Sequence, residues 1–228
     1  MLLIYLLNLL IHNPIQFFVT IAILIVPLFL SVSVHEWAHG YVAYKFGDMT
    51  PKMQGRLTLN PFAHLDPIGT LMLFIIGIGW AKPVMVNPLY FPSKTKQMLV
   101  ALAGPASNFL LAVIFGVMLV ALQLSGYNEI FKIVEASLHL IIRINLILGI
   151  FNLIPIPPLD GSKVLAWILP DFIKEKYLSL EPYGFVLVLF ILFTVGFSFL
   201  MKIANVFQEK LLDVIKIVIL TVFSAWKA

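Results

Sequence analysis

The chain of 228 residues is 61% hydrophobic and only 11% charged, with a formal net charge of +4 and no cysteine. Because an ordinary soluble domain is about 25% charged, this composition excludes a soluble globular protein and predicts a chain embedded in the lipid bilayer. The lack of cysteine excludes disulfides and thiolate metal sites. The scattered basic residues indicate loop topology and no nucleic-acid partner.

The first segments differ in length. Residues 1–12 are apolar but short, and they predict a short interfacial helix, a partial span or a frayed terminus. Residues 14–46 predict one long helix that can exceed the roughly 30 Å hydrocarbon core. We expect a kink at Pro27, because proline removes a backbone hydrogen bond in mid-helix, and a helix end near Lys45.

The end of this helix carries a His-Glu-x-x-His pattern at His35, Glu36 and His39. Helical positions i and i+4 share a face, so His35 and His39 can offer two ring nitrogens to one tetrahedral zinc. Glu36 is then close enough to act as a general base on a zinc-activated water without being a ligand. The alternative is a chance match to a short pattern. Three ionisable side chains beside a lipid-length apolar run favour the functional interpretation.

A polar, turn-rich region follows the motif. Residues 55–59 and 84–87 predict two short strands, which could pair into a small membrane-associated β-hairpin or sheet and hold an extended peptide. Residues 67–80 are apolar but too short for a comfortable span, so they predict a re-entrant segment.

The second half of the chain predicts further helices. They are a long helix over 95–124 that is interrupted at Gly104-Pro105, a helix over 136–154 that ends before prolines, a surface segment over 162–182, a span over 183–201 and a mixed helix over 203–226. Arg143 is expected to snorkel outward, to pair with Glu135, or to show that its span begins later.

Basic residues predict the orientation in the membrane. Residues 1–44 contain no Lys or Arg, whereas Lys45, Lys52 and Arg56 follow the first long helix. The positive-inside rule places that end in the cytoplasm. Counting the later spans brings Asp160 to the same side.

The predicted fold is therefore an α-helical polytopic membrane protein with about five to six membrane-embedded helices. It forms one domain over residues 1–228, with a motif-bearing core at about 14–165 and C-terminal helices over 183–226.

Three motifs occur in a fixed order on three hydrophobic segments. They are His35-Glu36-Trp37-Ala38-His39, then Gly104-Pro105-Ala106-Ser107-Asn108, then Asn152 with Leu159-Asp160-Gly161. This set, over roughly residues 20–165, resembles the site-2 protease family of intramembrane zinc metalloproteases. Residues 60–69 are similar to a signature of minimal prokaryotic members that lack a PDZ domain.

The resemblance implies a function and a ligand set. His35, His39 and Asp160 are expected to bind one Zn²⁺ per chain, with Glu36 as the catalytic base. Expected substrates are transmembrane segments of other proteins. The enzyme would lie in the cell membrane as a multi-pass protein with its active site toward the cytoplasm, and its oligomeric state stays open.

Three further polar residues each carry two interpretations. Asn108 could hold the substrate backbone or the oxyanion, or form an interhelical hydrogen bond. Asn152 could orient a zinc ligand or likewise form an interhelical hydrogen bond. His64, with Asp66, could supply alternative ligands, line the cavity or be structural.

Two rival functions remain open. A divalent-metal transporter could use the same His, Glu and Asp residues, with Glu36 as a ligand, although no repeated halves are visible in the sequence. An inactive relative could merely bind membrane helices, but the intact motif argues against it.

Overall fold

The computed structural model describes residues 2–76, 79–126 and 131–227 and is mostly helical. The chain divides into two compact units, Met1–Phe91 and Pro92–Ala228. The first unit contains α1 (Leu2–His12), α2 (Pro14–Lys45), α3 (Thr50–Met53) and α4 (Pro67–Ile76). The second contains α5 (Lys94–Leu124), α6 (Lys132–Asn152), α7 (Asp160–Ile168), α8 (Asp171–Leu178), α9 (Glu181–Ile191) and α10 (Phe197–Lys227). The predicted single domain over 1–228 stays a prediction.

Three of the described helices, α2, α5 and α6, are long and apolar enough to cross a membrane. The count rises to four if α8 and the helical segment over 181–194, which are bent by 67°, form one broken span. The helical membrane class is thus confirmed, whereas the predicted number of five to six embedded helices stays a prediction.

Helix α2 matches the predicted long helix closely. Pro14 occupies its first turn, and the Asn13 side chain accepts a hydrogen bond from the Gln16 N–H at 3.2 Å. Pro27 lies inside the helix, and the Ser31 hydroxyl donates to the Pro27 carbonyl at 2.7 Å. Gly47 has φ of 105°, a left-handed conformation that suits glycine and stops the helix.

The predicted β-hairpin is wrong for the described residues, which contain no strand and only an isolated antiparallel bridge between Leu65 and Ala81. The reason lies in the backbone N–H groups of the second predicted strand. The Val84 N–H donates to Glu36 at 2.8 Å and the Asn87 N–H donates to Asp48 at 2.6 Å. Side-chain carboxylates therefore accept hydrogen bonds from the N–H groups that would have to donate to a neighbouring strand in a β-sheet.

The described residues that follow helix α4 lie close to the first turn of that helix. After Ile76, residues 77–78 lie outside the described part of the chain. Gly69 then packs directly against the Trp80 backbone, where an added Cβ would overlap the Trp80 carbonyl. Together with the bridge at Ala81, this arrangement fits the predicted re-entrant segment over 67–80.

The second unit has a core shared by α5, α6 and α10. Its buried members are small and branched apolar residues: Ala112, Leu119, Leu138, Ile142, Leu146 and Ala204. Gly149 of α6 lies against the Phe109 ring of α5, with no room for a Cβ. Small residues of this kind let membrane helices approach closely.

Helix α5 continues through Gly104-Pro105, so the predicted interruption is wrong. A proline at 105 costs only the bond to the Ala101 carbonyl, a loss that membrane helices tolerate. The Ser107 hydroxyl donates to the Gly104 carbonyl at 2.7 Å and adds a local polar contact.

Arg143 finds a partner on another helix. Its Nε donates to the Gln208 side-chain oxygen at 3.2 Å, and Gln208 in turn donates to His139 Nδ1 at 3.1 Å. Glu135 instead accepts from Gln123 at 2.8 Å. The structure therefore anchors Arg143 to α10 through a buried amide.

Candidate metal centre

The two motif histidines lie together on α2. Their Nε2 atoms are 3.1 Å apart, and the residues are 6% and 9% exposed. Two nitrogens that each lie about 2.0–2.1 Å from a tetrahedral zinc are roughly 3.3 Å from one another. The pair in the structure, His35 and His39, therefore has the donor type and nearly the spacing of two ligands of one metal ion.

Glu36 is held by the backbone of a distant segment. One carboxylate oxygen, Oε2, accepts a hydrogen bond from the Val84 N–H at 2.8 Å. This bond fixes the direction of a carboxylate that lies one position from His35.

Gly40 makes room for that segment beside the motif. A Cβ at this position would lie 3.3 Å from Val84 Cγ1 and 3.2 Å from Pro51 Cβ, tighter than ordinary van der Waals contact. The glycine after His39 thus lets Val84 pack against the helix that carries the histidines.

Asp160 opens α7 in the second unit. It is 8% exposed, and a negative charge in the first turn of a helix is stabilised by the helix dipole. Lys163 Nζ lies 4.0 Å from one carboxylate oxygen, on a side chain that is half exposed. The residue is therefore a buried, ionisable carboxylate at a helix start, which is the donor type that zinc accepts.

The turn before Asp160 is fixed by close backbone packing. A Cβ on Gly161 would overlap the Leu153 carbonyl, and a Cβ on Gly184 would overlap the Pro157 carbonyl. The Tyr177 hydroxyl also donates to the Pro155 carbonyl at 2.8 Å. Two glycines and one tyrosine thus brace the loop that delivers Asp160.

The two predicted asparagines behave differently. Asn108 Nδ2 donates to the Asn145 side-chain oxygen at 2.9 Å, and both residues are fully buried. Asn152 Nδ2 donates to the Leu148 carbonyl of its own helix at 3.0 Å. The structure thus contains the interhelical bond foreseen for Asn108, and the recorded bond of Asn152 is local.

His64 is fully buried, and its Nε2 lies 2.8 Å from the Thr58 carbonyl. Its Nδ1 is buried and has no hydrogen-bond partner among the residues that the structure describes. Asp66 accepts from the Gly69 N–H at 2.7 Å and so caps α4. His64 thus stabilises the turn that includes Thr58, and Asp66 stabilises the start of α4.

Sequence reasoning missed three residues around the candidate site. They are Val84, which donates to Glu36, Asp48, which holds Asn87, and Asn145, which holds Asn108. Asp48 follows a glycine and had the signature of a turn residue only. Its separation of 39 positions from Asn87 leaves no local signal.

The model of peptidase family M50 matches residues 23–137 and 127–201, well over half of the chain. The chain belongs to peptidase family M50. The resemblance to the site-2 protease family is thereby confirmed.

Relatives of this M50 peptidase come from bacteria and archaea. YwhC of Bacillus subtilis is 43% identical over 174 residues, which cover 74% of this chain and 80% of YwhC. Rip2 of Mycolicibacterium smegmatis is 28% identical over 190 residues, which cover 80% and 71% of the two chains. Both carry the provisional name of a zinc metalloprotease. No solved structure is significantly similar to the chain.

An archaeal relative also carries the name of a zinc metalloprotease. The zinc metalloprotease MJ0392 of Methanocaldococcus jannaschii is 28% identical over 158 residues, which cover 68% of this chain and 36% of that protein. The M50 peptidase is accordingly a zinc metallopeptidase and a membrane protein. The paired ring nitrogens of His35 and His39 fit the zinc cofactor that the family and the relatives' names indicate.

Proposed function

We propose that this zinc metallopeptidase hydrolyses peptide bonds within transmembrane segments of other proteins. His35, His39 and Asp160 serve as its zinc ligands, and Glu36 is its general base. The observation that carries the proposal is the pair of Nε2 atoms 3.1 Å apart on a helix of membrane-spanning length, with an oriented Glu36 beside them.

Each residue contributes a defined step. Zinc held by these ligands would act as a Lewis acid that polarises the scissile carbonyl and acidifies the attacking water. Glu36 accepts the water's proton at Oε1, because Val84 occupies Oε2. The Val84 amide keeps the carboxylate from rotating away, which supports rapid proton transfer.

The third ligand is proposed to be Asp160. A tetrahedral zinc site in a peptidase uses three protein ligands and keeps one position open. The chain has no cysteine, and Asp160 is a buried carboxylate whose position is fixed by the packing of Gly161. His64, the other candidate, uses one ring nitrogen on the Thr58 carbonyl.

Residues of α2 support a proposed depth and side for the active site. Lys45 Nζ lies over the Tyr41 ring, 5.3 Å from its centroid. Aromatic and basic residues of this kind mark the membrane–water interface. His35 precedes Lys45 by ten residues, or about 15 Å of helix. We therefore propose a site below the cytoplasmic interface of the cell membrane.

Cleavage by Glu36 variants tests the proposal. The full chain is reconstituted in proteoliposomes with a fluorogenic reporter whose scissile bond lies in a transmembrane helix. Because a general base contributes roughly 10²–10⁴-fold, Glu36→Gln should lower the cleavage rate by at least about 100-fold. Glu209→Gln, which neutralises an exposed glutamate on α10, is the matched control and should cleave normally.

The same variant also distinguishes a peptidase from a divalent-metal transporter. Retained cleavage by Glu36→Gln would refute the role of Glu36. A transporter would instead carry zinc into the proteoliposomes and would lose uptake and zinc together in the same variant. The family match and the relatives' names give no support to transport.

A further inference from the structure

We infer that Asp48 is a positioning residue for Glu36. It clamps residues 84–87 against α2, so that the Val84 N–H is in place to hold the Glu36 carboxylate. This inference rests on the proposed role of Glu36 as the base. It assigns a task to a buried carboxylate that the proposed reaction does not otherwise use.

Asp48 is fully buried just beyond the end of α2. Both of its oxygens accept backbone hydrogen bonds: Oδ1 from the Thr50 N–H at 2.8 Å and Oδ2 from the Asn87 N–H at 2.6 Å. Hydrogen bonds to an ionised acceptor are about twice as strong as neutral ones. Such a carboxylate joins the start of α3 firmly to a segment 39 positions later.

The clamped segment is short and has few backbone donors. Pro83 and Pro88 flank it and have no N–H, so its amides are those of residues 84–87. The first of them bonds to Glu36 and the last bonds to Asp48. Two carboxylates, one on α2 and one just after it, therefore hold the two ends of the same extended segment.

The middle of the clamp is a packing contact. The Val84 side chain, only 8% exposed, lies against the bare backbone of Gly40. A segment pressed into place there has little freedom to rotate while both end amides are bonded. Release of the Asn87 end removes one of these restraints and lets the Val84 N–H move away from Glu36.

The substitution Asp48→Asn removes the clamp with almost no change in size. The Thr50 and Asn87 N–H groups bond to different oxygens of Asp48. In asparagine an NH₂ donor replaces one of these oxygens, so one of the two N–H groups would face a donor and lose its bond. The matched control is Asp66→Asn, because Asp66 also accepts a backbone N–H in the same unit, from Gly69 at 2.7 Å.

Amide hydrogen exchange measures the clamp directly in the full-length, zinc-loaded protein in detergent. We expect Asp48→Asn to speed exchange of both the Asn87 and Val84 amides by at least about tenfold, which corresponds to about 1.4 kcal/mol of lost protection. Asp66→Asn should leave both amides at the wild-type rate. Faster exchange at Asn87 alone, with Val84 unchanged, would overturn the inference.

Kinetics then tests the link to Glu36. Because misplacement of a catalytic group by about 1 Å can cost roughly 10²-fold, Asp48→Asn should lower kcat by about 10–100-fold, with zinc content and KM close to wild type. Val84→Pro removes the donor itself and should lower kcat by a similar factor. The double variant should lose no more than about twofold beyond the larger single effect, because coupled residues are not additive.

The remaining outcomes are decisive as well. Additive losses in the double variant would contradict the inference. A wild-type kcat in Val84→Pro would contradict it even if Asp48→Asn failed to fold. If the wild type and Glu36→Gln both leave the reporter intact, the proposed function fails. The exchange rates of Val84 and Asn87 would still decide whether Asp48 holds the segment.

Discussion

Asn108 and Asn145 bury their amides against each other in the second unit. Asn108 donates to Asn145 at 2.9 Å, and Asn145 donates to the Ile141 carbonyl at 2.8 Å. Asn145 therefore fixes the orientation of Asn108 by bonding on both sides of its own amide.

The two asparagines should differ in what they contribute. Removal of a buried hydrogen-bond partner costs about 1–3 kcal/mol, so Asn145→Ala should lower the unfolding temperature in detergent. Asn108→Ala should do the same and, if Asn108 contacts the oxyanion, should also lower kcat by roughly 10²-fold. Thermal unfolding and kcat of both variants measure this difference. Equal kcat values in the two variants would assign Asn108 to structure alone.

For single residues, the sequence predicts the motif residues well, but it does not predict the residues that hold them in position. His35 and His39 share a helix face because of the 3.6-residue period alone, so their proximity was predictable. Val84 and Asp48 act across 48 and 39 positions through bonds to and from the main chain. An N–H donor is common to all residues except proline, so no residue type indicates that Val84 holds Glu36.

Helix α7 shows how an element delivers one side chain. It begins at Asp160, and Gly161 places its backbone against the Leu153 carbonyl at the end of α6. The motif therefore requires glycine at 161 because any larger residue would push the start of α7, and Asp160 with it, away from α6.

Gly161→Ala should therefore displace Asp160 and lower zinc occupancy and kcat together. Gly116→Ala is the control in the same unit, because a Cβ there meets the ends of two flexible side chains, Ile215 Cδ1 at 2.7 Å and Leu212 Cδ2 at 3.7 Å, and no backbone atom of the described residues. Metal analysis and kcat of the two purified variants check the prediction. Full zinc occupancy in Gly161→Ala would show that the close packing does not fix Asp160.

Element boundaries were predictable where the pattern is long and uniform. The predicted helix over 14–46 became Pro14–Lys45, since an apolar run in lipid must satisfy its own backbone. The strand prediction for the short segment 84–87 failed, because its amides have carboxylate partners that lie far away in sequence. Pro105 also failed as a break, because one missing hydrogen bond does not end a helix of 31 residues.

At the scale of the whole molecule, the distribution of basic residues predicts orientation. The chain contains no cysteine, so single cysteines can be introduced without background. Gln54→Cys follows α2 and Ser125→Cys follows α5, and both positions are exposed. In intact cells, an impermeant thiol reagent should label Cys at 125 and leave Cys at 54 unlabelled until the membrane is opened. The reverse pattern would contradict the proposed position of the active site on the cytoplasmic side.

The most direct test of the central claim is the zinc content of the purified wild type and three variants. Wild type, Glu36→Gln and His64→Ala should each hold about one zinc per chain, because neither Glu36 nor His64 is a proposed ligand. Asp160→Ala should lose most of its zinc, since two histidines alone leave the site short of a ligand. If Glu36→Gln lost its zinc and Asp160→Ala kept it, Glu36 would be a ligand, and the account of this site as a peptidase centre with a free base would be wrong.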